Sequence, residues 1–196
     1  MYCKNCGHFV EDNQKFCSNC GASVSFGQQA YESAKSAFQS AENQLDNAVN
    51  DFRGNQYQNP NFQPRLQTDR SLWMYILLSI ITCGIYSYYF IYKLAKDVNT
   101  ACSGDGQTTG GLVQFILLTF ITCGIYAWVW HYKLGNRLAD NAPRYGMTFQ
   151  ENGTTVLMWM LFGSLLCGIG AFVAMNIIIK NTNRICAAYN ASVFGY

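Results

Sequence analysis

The sequence predicts an all-α membrane domain of three repeated helical units (hairpins or kinked helices), preceded by an amphipathic helix and a small N-terminal ribbon closed by four cysteines. Three observations carry this. Four cysteines stand as two Cys-x2-Cys pairs within the first twenty residues. The composition breaks near Arg70, from polar Asn, Gln and Ser to Leu, Ile, Phe, Tyr and Trp. Past that break, one apolar segment returns at an offset of 40 residues.

The ribbon is assigned to residues 1–24. Cys3 and Cys6 form one pair, Cys17 and Cys20 the other, and each pair is followed by glycine, Gly7 and Gly21. Two thiolates two residues apart can bind one metal from a tight turn, and the glycine lets the backbone turn its N–H groups toward the sulfurs. Two such knuckles complete a tetrahedral site of four thiolates, so Cys3, Cys6, Cys17 and Cys20 are the expected ligands of a structural Zn2+. His8 adjoins the first knuckle, but a fifth ligand is not needed. A closed four-thiolate site has no open position for catalysis. A ribbon this short cannot bury a core unaided, so metal binding would supply its folding energy. The chain holds nine cysteines, an odd number, and opens without an apolar leader, which argues against a disulfide framework and for a reducing cytosol around the N-terminus.

Residues 25–53 read as an amphipathic helix. Tyr31, Phe38, Leu45 and Phe52 recur every seven residues, and Ala34, Ala41 and Ala48 fill the second seam position. This a/d pattern points to self-association or to packing on the membrane domain. Lys35 and Arg53 are few cations for a helix lying on a bilayer. Residues 54–70, rich in Gly, Pro, Asn and Gln, read as a flexible linker.

The membrane domain is assigned to residues 71–196, with units at 72–99, 112–139 and 156–185. Ile81-Thr82-Cys83-Gly84-Ile85-Tyr86 matches Ile121-Thr122-Cys123-Gly124-Ile125-Tyr126, and Tyr92-Lys93-Leu94 matches Tyr132-Lys133-Leu134. A degenerate third copy centres on Leu166-Cys167-Gly168-Ile169-Gly170. Each unit holds at least 20 residues free of Asp, Glu, Lys and Arg: Leu72–Tyr92, Leu112–Tyr132 and Asn152–Ile179. That meets the length criterion for crossing a bilayer.

Three straight spans would place five cations inside and four outside, which hardly satisfies the positive-inside rule. Hairpins turning at Cys-Gly place all nine on the cytosolic side. Each first arm is then about 16 Å long, roughly half the hydrocarbon core. The second arms carry Tyr86, Tyr88, Tyr89 and Tyr92, then Tyr126, Trp128, Trp130 and Tyr132, residues of the interfacial belt. Charge and aromatic placement favour hairpins. The objection is that a turn in lipid leaves backbone groups unpaired, unless Thr82 and Thr122 bond nearby carbonyls.

The Cys3–Gly21 stretch resembles the small zinc ribbons at the N-termini of many bacterial membrane proteins, and the I-T-C-G-I-Y…Y-K-L units resemble a bacterial membrane-domain family of unknown function. The resemblance implies a cell (plasma) membrane protein with a cytosolic ribbon and supplies no activity. The third copy departs from it, with Gly170 where tyrosine is expected.

No enzyme is expected. Asp97, Asp105, Asp140 and Glu151 read as loop residues without motif spacing, and a catalytic nucleophile with its base is missing. Cys83, Cys123 and Cys167 at the turns read as small apolar residues, and Cys102 and Cys186 serve only as labelling probes. A net charge of +2, with only Lys4 and Lys15 in the ribbon, excludes a nucleic-acid footprint. The expected partners are the lipid bilayer, further copies of the chain as a homo-oligomer, and a cytosolic protein docking on the ribbon. The expected function is a non-enzymatic integral membrane scaffold that organises or shapes the bilayer. The alternatives are a small oligomeric channel or transporter, for which His131 is the only intramembrane ionisable candidate, and a membrane-bound sensor or adaptor; His131 reads better as an interfacial residue near Lys133, and Gln114 and Asn176 read equally well as helix glue.

Overall fold

A computed structural model describes residues 3, 5–10, 16–21, 26–52, 63–165 and 168–195. The chain divides into two units, residues 1–56 and 57–196.

The first unit holds the ribbon and α1 (Phe26–Phe52). The helix stands where the heptad pattern predicts it, and Tyr31 on its stripe stays 64% exposed.

In the second unit the described residues form six helices: α2 (Leu72–Ile81), α3 (Ile85–Ala101), α4 (Leu112–Ile121), α5 (Ile125–Asn141), α6 (Gly153–Leu165) and α7 (Ile169–Phe194). A short 3-10 turn, Ala142–Tyr145, follows α5. The helices pair as hairpins, α2 with α3, α4 with α5 and α6 with α7. Tyr75 and Phe90 have ring centroids 4.8 Å apart, and Phe115 and Trp130 5.3 Å. Fifteen residues along one straight helix would separate them by about 22 Å, so the chain reverses at Cys-Gly and does not merely kink. In the third hairpin the backbones touch: a Cβ on Gly163 would lie 2.0 Å from the Gly170 Cα. That contact explains why Gly170 replaces the tyrosine of the other units.

The turn is a helix C-cap of the Schellman type, with the residue after the cap in the left-handed region. Cys83 holds that position at φ 49° and Gly84 follows at φ 91°. The Gly84 N–H donates to the Ser79 carbonyl at 2.7 Å, and the Cys83 N–H to the Ile80 carbonyl at 3.2 Å. Thr82 serves both arms. Its hydroxyl donates to the Leu78 carbonyl at 2.7 Å and accepts the Tyr86 N–H at 2.9 Å. Every backbone N–H from Thr82 to Ser87 is thereby bonded. Forty residues on, Thr122 makes the same two bonds, at 2.7 Å to Leu118 and 2.9 Å from Tyr126, with Cys123 also at φ 49°. Replacing Thr82 by Val removes both hydroxyl bonds while keeping the shape. It is expected to cost about 1–2 kcal/mol, read as a lower chemical-denaturation midpoint at unchanged slope.

The second arms run in one sense. Asn99 of α3 accepts from Arg137 of α5 at 2.5 Å, and further along, the Tyr145 hydroxyl just past α5 donates to the Ala101 carbonyl at 2.5 Å. The Asn183 amide of α7 donates to the Arg70 carbonyl at 2.8 Å, while the Arg70 guanidinium pairs with Asp97 of α3. These residues of α3, α5 and α7 all lie 13 to 17 positions past their turn glycines. The three turns therefore gather at one end of the unit and the polar contacts at the other. Between them lies the core, with Leu94, Val98, Leu134, Leu138, Ile178 and Ile185 essentially fully buried.

Several expectations change. Of the expected linker, residues 54–62 lie outside the described residues, but 63–70 are pinned to α7. The Asn190 side chain brackets Leu66, accepting its N–H at 2.9 Å and donating to its carbonyl at 2.8 Å. Tyr189 donates to Gln63 at 2.6 Å. Asp97 and Asp140 are helical residues of α3 and α5 and not loop acids, and Asp97 is buried against Arg70, which neutralises it. Cys102 and Cys186 are fully buried, and burial pushes their thiols up to about 11 and about 12, so they do not serve as labelling probes. Cys167 lies outside the described residues.

Candidate metal centre and the exposed apolar hairpin ends

The four ribbon cysteines converge as their spacing predicts. Cys3 Sγ lies 3.6 Å from Cys20 Sγ, Cys6 Sγ lies 3.6 Å from Cys17 Sγ, and all four sulfurs fall within 4.8 Å of one another. Tetrahedral zinc with bonds of about 2.3 Å needs sulfurs about 3.8 Å apart, so the set fits that ion. Each knuckle is closed by its glycine. The Gly7 N–H donates to the Cys3 carbonyl and the Gly21 N–H to the Cys17 carbonyl, both at 2.8 Å, with φ near +70° at both glycines. A side chain at either position would strain the knuckle. The Cys3 N–H donates to the His8 carbonyl at 2.8 Å, and the His8 side chain stays outside the sulfur cluster. Among the described residues of the ribbon, only Cys3, Val10 and Cys17 are buried. Three small side chains are too little core to hold a fold, so the metal would supply the folding energy.

At the turn end of the second unit, large apolar side chains point outward. The first hairpin exposes Ile80, Ile81 and Ile85, the second Phe120, Ile121 and Ile125, the third Phe162, Ile169 and Phe172. Phe120 is 85% exposed and Ile85 72%. Isolated exposed apolar residues are ordinary, but apolar residues exposed together at all three hairpin ends suit an interaction surface. No helix among the described residues is long and apolar enough to cross a membrane.

The opposite end is a hydrogen-bonded network centred on Arg137, which is 3% exposed. Its guanidinium grips Asp105 with two bonds, at 2.7 and 3.1 Å. It also donates to the Asn99 side chain, the Thr109 hydroxyl at 2.8 Å and the Gln107 carbonyl at 2.7 Å. All five guanidinium donors are used. Asn141 adds a bond to Asp105 at 2.9 Å. Burial of Asp105 raises its pKa, but the Arg137 bonds, the Gln107 N–H and Asn141 outweigh it and hold the carboxyl at about 2. This network, absent from the sequence reading, ties the loop between α3 and α4 to α5. His131, read as an interfacial residue, is buried between Phe115 and Trp130, its ring Nδ1 donating to the Ala127 carbonyl at 2.7 Å. Gln114 is half-buried and Asn176 exposed.

Residues 2–24 match the zinc-ribbon domain, and residues 70–140 match a family described as Domain of unknown function (DUF4234). The zinc-ribbon match and the sulfur cluster together point to zinc as the bound metal. No curated protein and no solved structure matches the chain. The DUF4234 match spans the first two hairpins and attaches no activity to them.

Proposed function

We propose that the chain is a non-enzymatic membrane scaffold whose three hairpins enter one leaflet of the cell membrane from the cytosolic side, turn end first. The observation that carries this is the segregation of the second unit's surface. Exposed Ile and Phe gather at the turns, and the buried charge network gathers at the other end. Ten-residue first arms such as α2 reach about 15 Å, the depth of one leaflet's hydrocarbon. The bonded turn N–H groups answer the usual objection to a turn in lipid, since donors that are already satisfied lose nothing on leaving water. On this reading the three units are copies of one membrane-inserting device, and Lys93, Lys96, Lys133, Arg137, Lys180 and Arg184 all remain on the cytosolic side.

A wedge in one leaflet adds area there, which organises or bends the bilayer. The apolar stripe of α1 supplies self-association, with Tyr31, Phe38 and Leu45 meeting their equivalents in further copies. The zinc ribbon serves as a cytosolic docking or spacing module.

The test is flotation of the full chain with phospholipid vesicles. Replacing Ile81 and Ile121 by Asp places a charge at two turns, and each is expected to cost about 2.5–3.5 kcal/mol at the bilayer centre. The doubly substituted chain should stay at the bottom of the gradient while the parent floats. Equal flotation of the two would remove the hairpin ends from the membrane contact.

A further inference from the structure

Resting on the membrane reading above, we propose that the groove between α2 and α7 holds one anionic phospholipid, with its acyl chains toward the turns and its phosphate toward the polar end. The groove encloses about 650 Å³. Its α7 wall is a single stripe that changes character along the helix. Nearest the turn are Ile169, Phe172 and Val173, while Leu72 and Trp73 at the start of α2 line its other wall on the side of Arg70. Two turns further come Asn176 and Lys180, then Asn183 and Arg184.

Length, charge and direction agree on the occupant. From Ile169 to Arg184 the helix rises about 22 Å, which is half of a bilayer of about 40–45 Å including headgroups, the length of one phospholipid. Three cations line the groove and no carboxylate does. Arg70 among them is neutralised by Asp97, and Lys180 pairs loosely with the half-exposed Glu151, at 3.7 Å. Arg184 lies over the Phe149 ring at 5.0 Å, which fixes its direction without cancelling its charge. The cationic end therefore complements an anionic phosphate better than a zwitterionic head. The apolar end lies on the side of the hairpin turns, where acyl chains would be.

The experiment is native mass spectrometry of the full chain, released from nanodiscs of equal phosphatidylglycerol and phosphatidylcholine. One phosphatidylglycerol per chain is the expected adduct. The pair Lys180→Gln and Arg184→Gln should reduce that adduct at least tenfold, and Asn176→Trp, which fills the groove without touching a charge, should do the same. Lys133→Gln, an exposed cation on α5, should leave it unchanged. Equal retention of phosphatidylcholine, no adduct on the parent, or an undiminished adduct on either groove variant overturns the proposal. Flotation of the same parent protein separates the two readings. A chain that floats but retains no phosphatidylglycerol loses the groove site alone, and one that does not float loses the membrane reading as well.

Discussion

Removing zinc with a chelator, or replacing Cys17 by Ser, is expected to unfold the ribbon while the helical unit keeps its structure. The sulfur cluster and Val10 are the whole interior of residues 3–21 among those described. Zinc bound by four thiolates contributes about 10 kcal/mol or more of apparent folding energy at neutral pH. Nothing else in the ribbon approaches that: its knuckle hydrogen bonds are worth about 1 kcal/mol each. Circular dichroism would barely register the change, because the signal is dominated by the helices of the second unit. Amide exchange resolved by peptide should show residues 5–10 and 16–21 losing protection and residues 85–101 and 125–141 unchanged. Adding zinc back should restore the parent pattern for the chelated protein and not for Cys17→Ser.

Replacing Arg137 by Ala is the most destabilising single change expected in the helical unit. It strands Asp105, Asn99, Thr109 and the Gln107 carbonyl, which together take all five guanidinium bonds. Removing one partner of a buried pair costs about 3–5 kcal/mol, because the other charge stays behind uncompensated. For a chain of this size that lowers the melting temperature by on the order of 10 °C. Acid should act through the same group. The Arg137 guanidinium and its neighbours hold the Asp105 carboxyl down at about 2 in the folded chain, against an ordinary value of 3.8. A lowered pKa contributes stability above the unfolded value and loses it as the pH falls toward the folded one. The contribution, about 1–2 kcal/mol, should therefore be complete above about pH 5 and be lost progressively between about 5 and 1. Asp105→Asn should flatten that part of the stability curve.

The ribbon was fully legible in the sequence because its chemistry is local: two pairs of thiolates and two glycines dictate the knuckles. The hairpin turns were nearly so. Thr82-Cys83-Gly84 contains the capping hydroxyl and the glycine that the reversal requires, and the crowding of cations past each unit argued for reversal. What the sequence could not disclose is pairing over distance. Arg137 and Asp105 are 32 residues apart and Arg70 and Asp97 are 27 apart, and no periodicity links them. Residues 63–70 looked like linker because their composition is polar. They are held by Asn183 and Asn190, two helix turns apart on α7, whose amides substitute for a neighbouring strand. The Asn-rich end of the third unit was the visible trace of this anchor. Cys102 and Cys186 looked like isolated loop and tail residues, yet both are fully enclosed by the core.

The side of the membrane on which the two long loops lie tests the account most directly. Single cysteines at the exposed positions Ser103 and Thr148, in a chain with Cys83 and Cys123 replaced by Gly and Cys167 by Ala, can be labelled in intact cells with an impermeant maleimide and read peptide by peptide. Hairpins entering from the cytosol leave both positions protected until the cells are permeabilised. Three true spans would put them on opposite sides, so labelling of Ser103→Cys with protection of Thr148→Cys would contradict the account.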